Sequence, residues 1–193
     1  MAIEPSAEPP LLGPANPPAV LVINQTGAAP LLLVCDHASN TVPKSLDDLG
    51  LGPGGLDHHI FWDRGAAPVT HLLSERFDAP AVLGGYSRLV IDCNRKLGHE
   101  TSIATISDGI VIPGNEHISK AQAARRADEV FHPYHDAIER IIDGIRLYAR
   151  APVVLAIHSF TPEMDGFARP WHISVLWGSD TRIPEPLMAV LGT

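Results

Sequence analysis

The sequence predicts an α/β domain, a mostly parallel or mixed sheet flanked by helices. Two observations carry this. Short runs at 31–35, 80–83 and 152–157 are apolar throughout, as in strands buried on both faces. Stretches with apolar residues at helical spacing, at 63–77 and 119–148, alternate with them. A chain of 193 residues is also long enough to bury one sizeable core.

Each element has its own signal. The first 30 residues hold seven of the 18 prolines. Proline fixes φ and lacks an amide donor, so residues 1–30 are expected as an irregular arm with a short strand at 19–23. Residues 31–193 are expected to form a single α/β domain. The strand at 31–35 runs into Asp36-His37-Ala38-Ser39-Asn40, followed by loop signals at Val42-Pro43 and at 50–55. Ala66, Val69, Leu72, Leu73 and Phe77 mark one face of a first helix. Strands are expected at 80–83 and 89–93, with Gly84-Gly85 turning between them. Ser119 with Gln122 forms a capping-box pattern that opens a long helix. Pro133 interrupts its apolar stripe, which predicts a kink, or two helices with Pro133 in the first turn of the second. The strand at 152–157 ends at His158-Ser159, a last strand is expected at 173–177, and residues 185–191 read as helix.

Composition excludes several functions. There are 14 Lys and Arg against 22 Asp and Glu, a formal charge of −8. An acidic chain without a basic run is unsuited to sequence-independent nucleic-acid binding. No apolar run approaches the roughly 20 residues of a spanning helix. No Lys or Arg precedes Lys44, so a basic signal-peptide start is absent and a cytoplasmic location is expected. Two cysteines, Cys35 and Cys93, sit in apolar stretches and read as buried thiols.

In parallel sheets, ligands bind outside the carboxyl ends of the strands, which selects the polar residues to weigh. Two strands end there in histidine, His37 and His158. With a carboxylate they would make a three-ligand zinc site with one open position. The alternative is a pair of loop histidines bonded to backbone. Asp63, at the start of the first helix, is the best carboxylate; its alternative is a residue placed for the helix dipole. Asp36 and Asn40 flank the first histidine. A third cluster, Tyr86-Ser87-Arg88-Leu89-Val90-Ile91-Asp92-Cys93-Asn94-Arg95, ends a predicted strand in Asn-Arg. A guanidinium fork beside an amide suits a substrate carboxylate. Arg88 lies at the other end of that strand, so both arginines reach one ligand only if the strand bends. An ion pair of Asp92 with one arginine is the structural alternative. His132 and His135 share a helix face, which suits a second metal site or a substrate contact; the alternative, a partly buried histidine bonded to backbone or water, fits His132 better than His135.

Together these segments resemble the N-formylglutamate amidohydrolase family. The matching pieces are Asp36-His37-Ala38-Ser39-Asn40, Trp62-Asp63-Arg64-Gly65-Ala66, the cluster from Tyr86 to Arg95, His132-Pro133-Tyr134-His135 and His158-Ser159-Phe160-Thr161-Pro162. Ala168-Arg169-Pro170-Trp171-His172-Ile173 also fits. The resemblance implies a zinc-exopeptidase-like core, similar to the zinc carboxypeptidases and aspartoacylases (a phosphorylase/hydrolase-like arrangement). It implies one zinc per chain on His37, Asp63 and His158, and a substrate carboxylate held by Asn94 and Arg95, with Arg88 a further substrate-binding candidate from the reading of the cluster itself. Asp36, Asn40 and His135 would support those ligands or touch substrate. The implied reaction hydrolyses the formyl amide of an N-formylglutamate-like substrate: zinc acidifies its water and polarises the carbonyl, and a carboxylate base moves the proton. The family implies further sequence after Thr193 that would carry this base, so the domain is expected to lack its C-terminal part; Glu163 and Asp165 are the substitutes within the chain. The partner is a small acyl amino acid with a free carboxylate, with neither nucleic acid nor membrane. A non-catalytic carboxylate-binding homologue, or an amidase or peptidase of other acyl-amino-acid specificity, is the alternative.

Overall fold

The computed structural model describes residues 9–52, 58–164 and 166–192. Of the loop expected at 50–55, residues 53–55 lie outside these. Residues up to Phe160 form one compact unit and those from Thr161 another.

The first unit is built on a four-stranded mixed sheet. Its strands are β1 (Val20–Ile23), β2 (Leu31–Cys35), β3 (Ala81–Gly84) and, after a short hairpin of β4 (Ile106–Ser107) and β5 (Ile110–Val111), β6 (Val153–Ala156). The order is β1-β3-β2-β6. β2 pairs parallel with both β3 and β6, while β1 runs antiparallel on the β3 edge. Successive side chains of a strand face opposite ways, and the core divides accordingly. Leu32, Val34 and Val82 face one cluster with Tyr134, Ala137 and Ile141. Leu33, Cys35, Ala81 and Leu83 face another with Ala66. Helix α1 (Ala66–Phe77) covers the second face.

The first face is covered by the long helical stretch. α2 (Lys120–Arg126) opens with the capping box: Gln122 N–H donates to Ser119 Oγ at 3.1 Å, and Ser119 N–H to Gln122 Oε1 at 2.7 Å. A π-helical turn, Ala127–Phe131, leads into α3 (His132–Arg146), with Pro133 in its first turn. The interruption falls where the missing proline amide breaks the regular ladder.

The short strand expected at 19–23 is β1, which belongs to the sheet, and Leu11 from the same proline-rich stretch is buried in the core. Two expectations change. Residues 89–93 are not a strand. Arg88–Val90 form a turn, and the carbonyls of Leu89 and Val90 are taken by the side chains of Asn115 and Arg126 rather than by a neighbouring strand. Residues 173–177 form no strand either; Ile173 and Leu176 are exposed, with no paired neighbour to supply the half-buried surface a strand needs.

The second unit holds a two-stranded hairpin of β7 (Glu163–Met164) and β8 (Phe167–Ala168), and helix α4 (Pro184–Leu191), which matches the expected helix. No helix among the described residues is long and apolar enough to cross a membrane.

Candidate metal centre

β2 and β6 are parallel neighbours, and each is followed within two residues by a histidine. The chain leaves β2 through Asp36 and His37, both buried. Past β6, the Ile157 amide still bonds Val34 O at 2.8 Å and so carries His158 to the same edge. The two imidazole rings lie 5.1 Å apart. Asp63 arrives from the loop before α1, its amide donating to His37 O at 3.0 Å.

Asp63 does not serve as a helix cap. The cap position is Gly65 at φ +84°, and no side chain caps this helix. The Asp63 carboxylate turns to the histidines instead. Its Oδ2 lies 2.8 Å from His158 Nδ1 and 3.4 Å from His37 Nδ1. The Ser159 amide also donates to it, at 3.3 Å. One ligand atom from each of His37, Asp63 and His158 lies within 4.8 Å of the others.

The outer nitrogens are held as well. His37 Nε2 lies 2.8 Å from Asp92 Oδ1, and His158 Nε2 lies 3.2 Å from Asp36 Oδ2. A carboxylate behind each imidazole fixes its tautomer and leaves Nδ1 facing inward. His37 Nδ1 is buried and has no hydrogen-bond partner. Such an atom is expensive to leave unmatched unless a ligand uses its lone pair.

The electrostatics suit a cation. Burial works against ionisation of Asp63, but the hydrogen bond with His158 and the nearby His37 imidazole hold it well below the usual carboxylate range. Asp36 is lowered in the same way, burial being outweighed by His158. Asp92 is lowered by His37 and Arg88 against the same burial. Hydrogen bonds to Asp36 and Asp63 push His158 up to about 9. Burial opposes a charged His37, yet Asp63 and Asp92 raise it. Three ionised carboxylates face two histidines and one guanidinium, so with neutral imidazoles the cluster carries the excess negative charge that a divalent ion neutralises. The donor set, two imidazole nitrogens and a carboxylate, is one that can hold a metal ion. The cysteines take no part: burial pushes the Cys35 thiol up to about 12 and Cys93 upward too, so both stay protonated.

The other candidates fall around this cluster unevenly. Arg88 sits at its rim: one guanidinium nitrogen lies 3.0 Å from Asp92 Oδ2 and another 3.9 Å from Asp63 Oδ1. The turn in place of the expected strand draws Arg88 up to Asp92, whereas a strand would hold residues four apart roughly 13 Å from each other. Asn94 and Arg95 follow in an exposed loop; the Asn94 amide donates to Asp92 Oδ1 at 2.8 Å, and Arg95 donates to Asn94 O at 3.0 Å. His135 on α3 lies 3.0 Å from Cys93 O and so steadies that loop from below. Asn40 is half-buried, three residues past His37. His132 lies 3.9 Å from Asp128, apart from His135's partner. Glu163 is exposed on β7 in the second unit. Asp165 and Thr193 lie outside the described residues.

Asp92 was legible only as a possible ion-pair partner of an arginine, and its hold on His37 was missed. The signal was a lone carboxylate inside the apolar run Leu89-Val90-Ile91-Asp92-Cys93, since a charge so placed is buried only with a partner.

The chain aligns with 90% of its length on a gene product of Agrobacterium tumefaciens known from a crystal structure, at 38% identity and a TM-score of 0.86, covering 69% of that chain. No curated protein matches at a significant level. The sequence model of N-formylglutamate amidohydrolase matches residues 29–193. The chain belongs to the N-formylglutamate amidohydrolase family, a family of hydrolases.

Proposed function

We propose that this protein is a zinc-dependent amide hydrolase acting on the N-formyl bond of an N-formylglutamate-like substrate, with one zinc per chain on His37, Asp63 and His158. The observation that carries this reading is the convergence of two histidine Nδ1 atoms on Asp63, each imidazole backed by a buried carboxylate. The mixed sheet with histidines beyond neighbouring parallel strands supports a zinc-exopeptidase-like core. When bound there, zinc supplies an acidified water and a Lewis acid for the amide carbonyl.

The chain's own residues do the rest. Asp36 and Asp92 hold the imidazoles in register. Arg88 is partly exposed beside Asp63, where its guanidinium can donate to the carbonyl oxygen as negative charge develops on it. Asn94 and Arg95 lie in the next loop, with the donors that bind a free carboxylate. That carboxylate makes a small acyl amino acid the substrate class. The proton leaving the attacking water needs an acceptor that returns it to the amine. Asp36, Asp63 and Asp92 are each engaged by a histidine, so a further carboxylate is required. A cytoplasmic location accords with two buried free thiols.

Metal content per chain tests the reading. About one zinc is expected in the purified protein and none in a His37→Ala, His158→Ala double variant. Zinc uptake should accompany release of formate from N-formyl-L-glutamate, with slower turnover of N-acetyl and dipeptide analogues. Binding of these compounds without turnover of any would instead select a carboxylate-binding homologue. Faster turnover of the analogues would select another acyl-amino-acid hydrolase.

A further inference from the structure

We infer that Arg126, acting with Asn115, is a positioning residue that sets the segment carrying Arg88 and Asp92 against the metal centre. This rests on the reading of that centre as a metal site. Arg126 ends α2 and is 2% exposed, with no carboxylate within ion-pair distance among the described residues. Burial, with Arg125 nearby, pulls its pKa down to about 10. A buried guanidinium without a counter-ion is costly, and apolar replacements of buried charges are often neutral or stabilising. Such a group is kept where its hydrogen bonds impose a geometry that packing alone does not.

Those bonds all go to loop groups. Arg126 donates to Val90 O at 3.0 Å, Asn115 Oδ1 at 2.6 Å and Gly114 O at 3.1 Å. Asn115 in turn donates to Leu89 O at 2.8 Å and Ala104 O at 2.7 Å. The turn that presents Gly114 and Asn115 is itself wedged, since a Cβ at Gly114 would meet the Leu49 backbone at 2.7 Å. Side chains thus satisfy two consecutive carbonyls that a sheet ladder would otherwise take. Held this way, the chain turns at Arg88–Val90 instead of extending. The turn puts Arg88 against Asp92, four residues on, and aims Asp92 at His37 Nε2. The path from Arg126 to the centre runs through Val90, Asp92 and His37, all in hydrogen-bonded or covalent sequence.

Two variants test it. Arg126→Lys keeps the charge but offers fewer donors. Asn115→Asp keeps an acceptor for Arg126 but loses the donors to Leu89 and Ala104. Zinc affinity, measured by chelator competition, should fall by about 10- to 100-fold in both, the range seen when a ligand's outer partner is disturbed. The visible spectrum of the cobalt-substituted protein should change as the His37 ligand field shifts. Hydrogen exchange in the metal-free protein should quicken at the Asp92 and Asn94 amides, now bonded to Ser102 O and Asp92 Oδ1. Ser74→Ala in α1, which removes a buried hydrogen bond to Ala79 O, is the control: it should lower stability while leaving zinc affinity and the cobalt spectrum alone. Should Arg126→Lys fail to fold, Asn115→Asp decides. Unchanged zinc affinity and spectrum in the variants, even with faster exchange, overturn the positioning role alone. No metal uptake by the unsubstituted protein overturns the metal reading, and the positioning role with it.

Discussion

His37 and His158 present the same nitrogen to Asp63 because a buried carboxylate occupies the other one on each ring. The arrangement makes Asp92 as consequential as a ligand. In Asp92→Asn the amide can donate to His37 Nε2, which favours a proton on Nδ1, the atom a metal needs bare. Zinc affinity should fall by about 10- to 100-fold, read by chelator competition, and an unchanged affinity would show that Asp92 does not set the tautomer. The same contacts fix the pH behaviour of the metal-free protein. His158 is raised from 6.5 to about 9, so the stability it contributes is complete below pH 6.5 and is lost as pH rises toward 9. Asp36, Asp63 and Asp92 are lowered from 3.8, so their contribution is complete above that value and is lost on further acidification. Thermal unfolding of chelator-treated protein should therefore peak between roughly pH 4 and 6.5. A melting temperature that stays level from neutral pH to 9 contradicts the histidine contacts.

Elements were legible where their own residues satisfy them. β2 and β3 show as unbroken apolar runs and are buried on both faces; β6 shows as one too, but it is the edge strand, with Val154 and Ala156 exposed, so its expected burial on both faces does not hold. The capping box of α2 is local, needing only Ser119 and Gln122, and it is found as expected. Ser119→Ala should cost about 1 kcal/mol in denaturant unfolding, because the Gln122 amide at the helix start loses its acceptor. A loss near zero would mean that the continuation into α3 carries the helix regardless. Residues 89–93 were misread because the groups that hold them lie far away in sequence: Asn115 is 26 residues from Leu89, and Arg126 is 36 from Val90. An apolar run records burial, and burial is compatible with a turn whenever distant side chains take the backbone bonds. That misreading also hid the contact between Arg88 and Asp92, since a straight strand would hold residues four apart roughly 13 Å from each other.

At the scale of the molecule, the metal centre depends on topology more than on any motif. His37, Asp63 and His158 are separated by long stretches of chain, and only the parallel pairing of β2 with β6 brings the two histidines to one edge. The rule that ligands gather beyond strand carboxyl ends made both histidines visible in the sequence. The partners behind them, and the path by which Asp63 reaches them, required the fold. It follows that the unfolded chain cannot assemble the site, so metal binding and folding are linked. An ion that binds only the folded state stabilises it by RT ln(1 + [L]/Kd), about 2.7 kcal/mol at a hundredfold excess over Kd. For a unit of this size that corresponds to a rise in melting temperature of roughly 5–10 °C. The rise should disappear in the His37→Ala, His158→Ala double variant, because Asp63 alone cannot hold the ion. It should shrink in Asp92→Asn by the amount that its zinc affinity falls, since linkage makes the two measurements report one free energy. A zinc-induced rise that persists undiminished in the double variant would place the stabilising ion elsewhere on the chain.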